Sequence, residues 1–186
     1  MPNTCLLVID AQQSFTQRPF YTPHDVAPYL AAQNALISGA AARGIPVVRV
    51  FHCAGEKSPD NPFAQESGWV RPLEGLAAFA EAACFVKSRH SALVGSGLDV
   101  WLTRNGIGRL IVSGIRTEQC CETTTRHASD LGWSVDFALA ATLTWDMTQP
   151  NGRTLPAADI KLRTATVLQD RFAHICSVDE ALARAQ

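Results

Sequence analysis

Apolar residues fall along this chain in short unbroken runs, separated by longer stretches with helical spacing. Residues 5–9 (Cys-Leu-Leu-Val-Ile) form the first run, and others follow at 45–52, 84–87, 109–115, 133–140 and 172–176. The runs do not alternate apolar with polar, so each strand is expected to bury both faces, as in a parallel sheet covered by helices. Helices are predicted over 25–43, 98–105, 117–131, 157–171 and 178–185. The first has Asp25 as N-cap, apolar positions at Leu30, Ala31, Ala35, Leu36 and Ala42, and Gly44 as its stop. A strand that returns in the same direction needs a crossover connection, so the alternation predicts an α/β fold of about six mostly parallel strands.

The stretch 53–72 breaks the pattern with three prolines, two glycines and little periodicity. A loop that long inside a compact domain is usually functional.

Composition narrows the function. The chain has 186 residues, which suits one domain over 1–186, and 47% hydrophobic against 18% charged residues, which suits a packed core. Sixteen basic against seventeen acidic residues, with no Lys/Arg block, argue against nucleic-acid or anionic-membrane partners. Six cysteines stand out: Cys5, Cys53, Cys84, Cys120, Cys121 and Cys176. Four of them sit in or beside strand-like runs, where a free thiol packs as a small hydrophobe. Met1-Pro2-Asn3-Thr4 leads directly into an apolar run too short for a signal-peptide core, so a reduced, cytoplasmic protein is expected.

In parallel sheets ligands bind beyond the carboxyl ends of the strands. That rule selects Asp10 and Gln12 after the first strand, His52 after the second, Lys87 after the third and the turn 113–120 after the fourth. An ionised Asp10 at the end of an apolar strand needs a cation, and Lys87 can supply it. Cys120 falls in the first turn of the next helix, with Thr117 as candidate N-cap. There the helix dipole and a nearby lysine favour a thiolate. Cys121, about 100° further round, is expected to pack inward.

No short His-x-His or Cys-x-x-Cys spacing occurs, so no metal site is expected. Gly106 to Gly108 precedes a strand rather than joining strand to helix, and Gly95-Ser96-Gly97 lacks the Lys-Ser/Thr of a phosphate loop. No cofactor is expected. Pocket candidates are Gln12, Phe15, Phe63, Trp69, Arg116 and Trp145. Of these, Arg116 could hold a substrate carboxylate bidentately.

Three segments together resemble the isochorismatase-like cysteine hydrolases, which include nicotinamidases and N-carbamoylsarcosine amidases. They are Leu7-Val-Ile-Asp10-Ala-Gln12-Gln-Ser-Phe15, Val86-Lys87-Ser-Arg-His-Ser91-Ala-Leu93, and Ser113-Gly114-Ile-Arg-Thr117-Glu-Gln-Cys120-Cys-Glu-Thr-Thr. The resemblance covers nearly the whole chain and implies a three-layer αβα, Rossmann-type architecture. It implies a catalytic triad of Asp10, Lys87 and Cys120, a cis peptide at Ile115–Arg116, and an oxyanion hole made by the backbone N–H groups of Arg116 and Cys120. It further implies hydrolysis of a C–N amide-type bond in a small amide or ureido substrate through a thioester, by a homo-oligomer, dimer or tetramer.

Two departures bear on the substrate. The nicotinamidase-type Asp-x-His metal motif has no counterpart after His52, and Leu93 replaces an aromatic residue usual in the lysine motif. Two alternatives stay open: a redox-sensing or non-catalytic protein with the Cys120-Cys121 pair as oxidation target, and an isochorismate-type vinyl-ether hydrolase. The amidohydrolase reading expects Cys120 to be alkylated faster than the other five thiols, with that rate lost in Asp10→Asn.

Overall fold

A computed structural model describes residues 3–185; Met1, Pro2 and Gln186, the ends of the expected 1–186 domain, lie outside the described residues. Six strands form one sheet: β1 (Thr4–Ile9), β2 (Val47–His52), β3 (Ala83–Lys87), β4 (Arg109–Ile115), β5 (Ser134–Leu143) and, late in the chain, β8 (His174–Cys176). Their order is β3-β2-β1-β4-β5-β8, and every neighbouring pair is parallel. The chain moves outward from β1 through β2 to β3, then crosses back to the other side of β1 to lay down β4. The direction of winding therefore reverses between β1 and β4, where a crevice opens at the carboxyl ends.

Both faces are covered at the centre of the sheet, whereas the edge strand β3, with neighbours on one side only, leaves Cys84 and Val86 exposed against expectation. Leu6 and Val8 point to one side, against α1 (Val26–Ala42) and α5 (Val178–Arg184); Cys5, Leu7 and Ile9 point to the other, against α2 (Leu98–Arg104), α3 (Glu122–Asp130) and α4 (Ala157–Leu168). This is the physical reason that β1 reads as an unbroken apolar run. Each fully buried Leu or Ile in it contributes about 1.5–3 kcal/mol. A third cluster, with Phe15, Tyr29, Leu73, Ile115, Leu143 and Trp145, lies apart from these two layers.

The structure corrects several expectations. The buried stripe of α1 is Tyr29, Gln33, Leu36, Ile37 and Ala40, while Ala31, Ala35 and Ala42 are exposed. Buried Gln33 misled the apolar count, because its amide finds a partner inside, donating to Ser113 Oγ at 3.1 Å. Asp25 occupies the N-cap position but makes no side-chain cap. Strand β5 runs three residues past its expected end, since a bulge opposite Val112 and Gly114 absorbs the extra residues. A small hairpin, β6 (Met147–Thr148) with β7 (Thr154–Leu155), went unread although Asn151-Gly152 is a strong turn signal; Gly152 takes φ +81° there. Among the described residues no helix is long and apolar enough to cross a membrane.

Candidate active site

Four strand ends build the site. Asp10, just beyond β1, has a left-handed backbone (φ 50°), which Asp tolerates better than most residues. Its N–H still joins the ladder by donating to Val50 O at 2.8 Å, so the strand fixes the side chain's position. Lys87 is the last residue of β3 and pairs in register with His52, the last of β2. Paired residues on parallel neighbours project to the same face, which sets their side chains side by side. Gln12 ties the ends of β1 and β2 together: its Nε2 donates to His52 O (3.0 Å) and its Oε1 accepts from His52 N–H (2.8 Å).

The loop after β4 brings the nucleophile candidate. Gly114 has φ +123°, and a Cβ there would sit 1.9 Å from Ile9 O, so only glycine lets β4 run this close to β1. The Ile115–Arg116 peptide bond is cis. The next five residues, Thr117–Cys121, form a π-helical turn before α3 begins. Thr117 is not the N-cap: Arg116 takes that position, and the Thr117 hydroxyl instead donates to Thr142 Oγ1 at 2.8 Å. Among the described residues the Arg116 backbone N–H donates no hydrogen bond.

These elements bring Asp10, Lys87 and Cys120 together. Lys87 Nζ donates to Asp10 Oδ2 at 2.7 Å and to Cys120 Sγ at 3.3 Å, and lies 3.0 Å from His52 Nδ1. Both Asp10 and Lys87 have side chains wholly removed from solvent. Asp10 Oδ1 is buried with no hydrogen-bond donor. A cavity of about 320 Å³ opens onto Asp10 and Cys120, lined by Phe15, His52, Phe63 and His90 together with Asn61 and Gln119. That size suits a small molecule.

Burial dominates the electrostatics. It raises the Asp10 carboxyl above the usual range against the opposing pull of Lys87. Burial, reinforced by the Asp10 charge, pushes the Cys120 thiol up to about 12, although Lys87 works the other way. The enclosed site and the carboxylate beside it therefore work against the thiolate that lysine and helix dipole favour. Burial first, then Lys87, holds His52 down at about 4, so its ring is neutral near pH 7. Cys121, wholly enclosed in the core between sheet and helices, is pushed well above the ordinary thiol range, again chiefly by burial.

Of the pocket candidates, Phe15 and Phe63 line the cavity as an edge-to-face pair 5.2 Å apart. The other four do not line it. Gln12 is the strand clasp. Trp145 is buried behind Phe15, 5.8 Å away, with its indole N–H on Thr22 O. Trp69 carries the Arg71 guanidinium 5.0 Å over its ring. Arg116 is not a free carboxylate receptor: its side chain is committed to Glu118 (3.1 Å), Thr144 Oγ1 (3.2 Å) and Trp145 O (3.1 Å), and lies over Phe20. Asn61, His90 and Gln119 had not been singled out. Gln119 adjoins Cys120 and His90 follows Lys87 by three residues, both usable signals, whereas Asn61 sits in the long loop with none. Among the described residues no three His, Cys, Asp or Glu side chains cluster as metal ligands.

Known proteins share sequence and fold with this chain. The Isochorismatase domain family matches residues 4–169. The uncharacterized isochorismatase family protein YrdC of Bacillus subtilis strain 168 is 24% identical over 179 residues, 95% of this chain and 93% of that protein. The uncharacterized isochorismatase family protein YecD of Escherichia coli O157:H7 is 31% identical over 147 residues, 73% of this chain and 77% of that protein. A candidate isochorismatase from Burkholderia xenovorans LB400, solved by crystallography, superposes with a TM-score of 0.87 at 33% identity, covering 100% of this chain and 88% of its own. The six-stranded parallel sheet flanked by helices is their shared fold, and with the family match spanning most of its length this chain belongs to the isochorismatase family of hydrolases.

Proposed function

We propose that the protein is a cysteine hydrolase that cleaves a C–N amide-type bond in a small amide or ureido compound, with Cys120 as nucleophile, Asp10 as proton carrier and Lys87 as the cation that couples them. One observation carries the reading: a single buried ammonium donates both to a carboxylate and to a thiol at the floor of a cavity of small-molecule size. As Cys120 Sγ attacks the carbonyl carbon, its proton passes to Asp10 and the carbonyl electron pair moves onto oxygen. The backbone N–H groups of Arg116 and Cys120 receive that oxyanion. Collapse re-forms the carbonyl and breaks the C–N bond, and the amine leaves with the proton from Asp10. Water then attacks the thioester, gives a proton to Asp10 and releases the acid, and Cys120 regains its proton.

The raised thiol suits this sequence. A resting thiol is protected, and the carboxylate that holds it protonated is the base that removes its proton during attack. A raised Asp10 is also a stronger base toward the thiol proton and still carries that proton when the amine leaves, since a catalytic group works best with a pKa near the operating pH.

The test is a screen of small amides, ureido acids and lactams for amine or ammonia release, repeated with Cys120→Ser. Loss of release in the variant, with the fold intact by circular dichroism, is expected. Release that survives in Cys120→Ser excludes the thioester route, and turnover of a vinyl ether but of no amide overturns the C–N reading.

A further inference from the structure

Lys87 has three N–H donors and three acceptors around it: Asp10 Oδ2 at 2.7 Å, Cys120 Sγ at 3.3 Å and His52 Nδ1 at 3.0 Å. An ammonium has no lone pair, so the contact with His52 is a bond only if Nδ1 is the acceptor. The ring proton must then sit on Nε2. His52 Nε2 has no partner among the described residues, and the ring lines the cavity between Phe63, with centroids 5.7 Å apart, and His90 at 6.4 Å. The backbone is held as well, clasped by both ends of the Gln12 amide.

We infer that His52 is a positioning residue that locks the Lys87 ammonium between Asp10 and Cys120 through Nδ1, and that the tautomer this imposes offers Nε2–H to the substrate. The enzyme therefore selects a small amide that carries a second hydrogen-bond acceptor beside the scissile carbonyl. A ring that accepted on neither side would leave an ammonium whose side chain is wholly buried one bond short, and it would drift from the thiol it has to serve. The titratable groups around the ring are Lys87 and His90 from β3 and the segment after it, with Asp10 and Cys120 on the same cavity. Of these, Lys87 and His90 oppose a positive charge on His52, which fits a ring that stays neutral. The substrate half of the inference rests on the amide-hydrolase reading; the tautomer does not.

Two measurements test it. Nitrogen-detected proton NMR of the ¹⁵N-histidine protein at pH 7 is expected to show His52 protonated on Nε2 and bare on Nδ1. A proton on Nδ1, or on both nitrogens, overturns both halves. Kinetics then separate them by three substitutions: His52→Asn keeps an acceptor near Nδ1 but has no Nε2–H, His52→Gln keeps a donor near Nε2 but loses the Nδ1 acceptor, and His52→Phe keeps ring volume with neither. His52→Asn is expected to raise KM about tenfold with kcat nearly kept, and His52→Gln to lower kcat about tenfold or more with KM nearly kept; His52→Phe shows both losses. A His52→Phe enzyme that folds and matches the wild type in kcat and KM overturns the inference. Should that variant fail to fold, equal kcat and KM in the Asn and Gln variants do the same. Should the wild type hydrolyse no amide at all, the function proposed above falls, and the NMR result still decides the His52–Lys87 lock.

Discussion

Two buried aspartates at opposite ends of the sheet show what separates a structural charge from a chemical one. Asp136, near the start of β5, is wholly buried, and both its oxygens are taken: Oδ1 accepts from Arg184 Nε at 2.9 Å and Oδ2 from Arg109 Nη1 at 3.1 Å. Asp10, past the end of β1, is equally buried, yet only Oδ2 is bonded, to Lys87, and Oδ1 has no donor. The first carboxylate has two cations and nothing left to accept. The second has one cation, shared with a thiol and a histidine, and an oxygen left over. A buried carboxylate oxygen with spare capacity is costly unless something will use it, and at Asp10 that spare oxygen lies on the cavity that Cys120 also lines.

The largest effect that can break this comparison is on turnover. Asp10→Asn is expected to lower kcat by about 10²–10⁴-fold, the usual weight of a general acid–base, with the far-ultraviolet spectrum unchanged. Asp136→Asn should leave kcat within about twofold, because no reacting group lies near that end. Steady-state rates on one amide for the two variants decide it: if Asp136→Asn is the more crippled, the division into structural and chemical carboxylates is wrong.

A second effect on the same residue has the opposite sign. The Asp10 charge is, after burial, the chief cause holding the Cys120 thiol up near 12. Removing it leaves burial alone to oppose Lys87, so the thiol is expected to fall and Asp10→Asn to speed iodoacetamide alkylation of Cys120 at pH 8, about tenfold for each unit by which the thiol falls. This reverses what the bare sequence suggests for that variant, where losing the base was expected to lose the reactivity. Mass spectrometry of the Cys120 peptide over time reads the rate, and slower alkylation in the variant would show that Asp10 activates the resting thiol rather than suppressing it.

How far these roles could be read in the sequence differs between the two ends. Asp10, Lys87 and Cys120 were legible because a parallel sheet puts ligands past its carboxyl ends: Asp10 follows an apolar run, Lys87 ends one and Cys120 lies in the turn beyond a third. The shared motif with known hydrolases then linked them. Asp136 could not be read, because its partners Arg109 and Arg184 are 27 and 48 residues away and only the pairing of β4 with β5, and the return of α5, bring them in. His52 was legible as a strand end but not as a partner of Lys87, since that contact depends on the β2–β3 register. Arg116 shows the opposite failure. Its place beside the nucleophile was plain, yet its direction is set by Glu118, Thr144 and Trp145, and no local pattern announces that the guanidinium turns away from the cavity.

Stability supplies the next test. Asp136→Asn weakens two charge-assisted hydrogen bonds to arginines that still reach water, so the loss belongs at the modest end, about 1–3 kcal/mol. For a chain of this size that is a fall in Tm of roughly 2–4 °C per kcal/mol. Differential scanning calorimetry reads it, and an unchanged Tm would mean that the two arginines are satisfied as well by solvent.

The smallest effect is a slope. His52 is held at about 4 in the fold against 6.5 in an open chain, so between pH 6.5 and 4 the unfolded state takes up a proton that the folded state refuses. The stability that neutral His52 contributes is complete above pH 6.5 and is lost as pH falls toward 4. Asp10 acts with the other sign: its carboxyl is raised by burial, so its stabilising contribution is present at low pH and is lost as pH rises through its folded value. The two partly offset in the wild type, and His52→Phe removes only the first. Melting temperatures at half-unit intervals from pH 7 to 4 should therefore fall less steeply in His52→Phe than in the wild type. Parallel curves would mean that His52 is charged in the folded protein across this range, in which case it cannot accept from Lys87 and the carboxyl-end cluster would hold two adjacent cations instead of one.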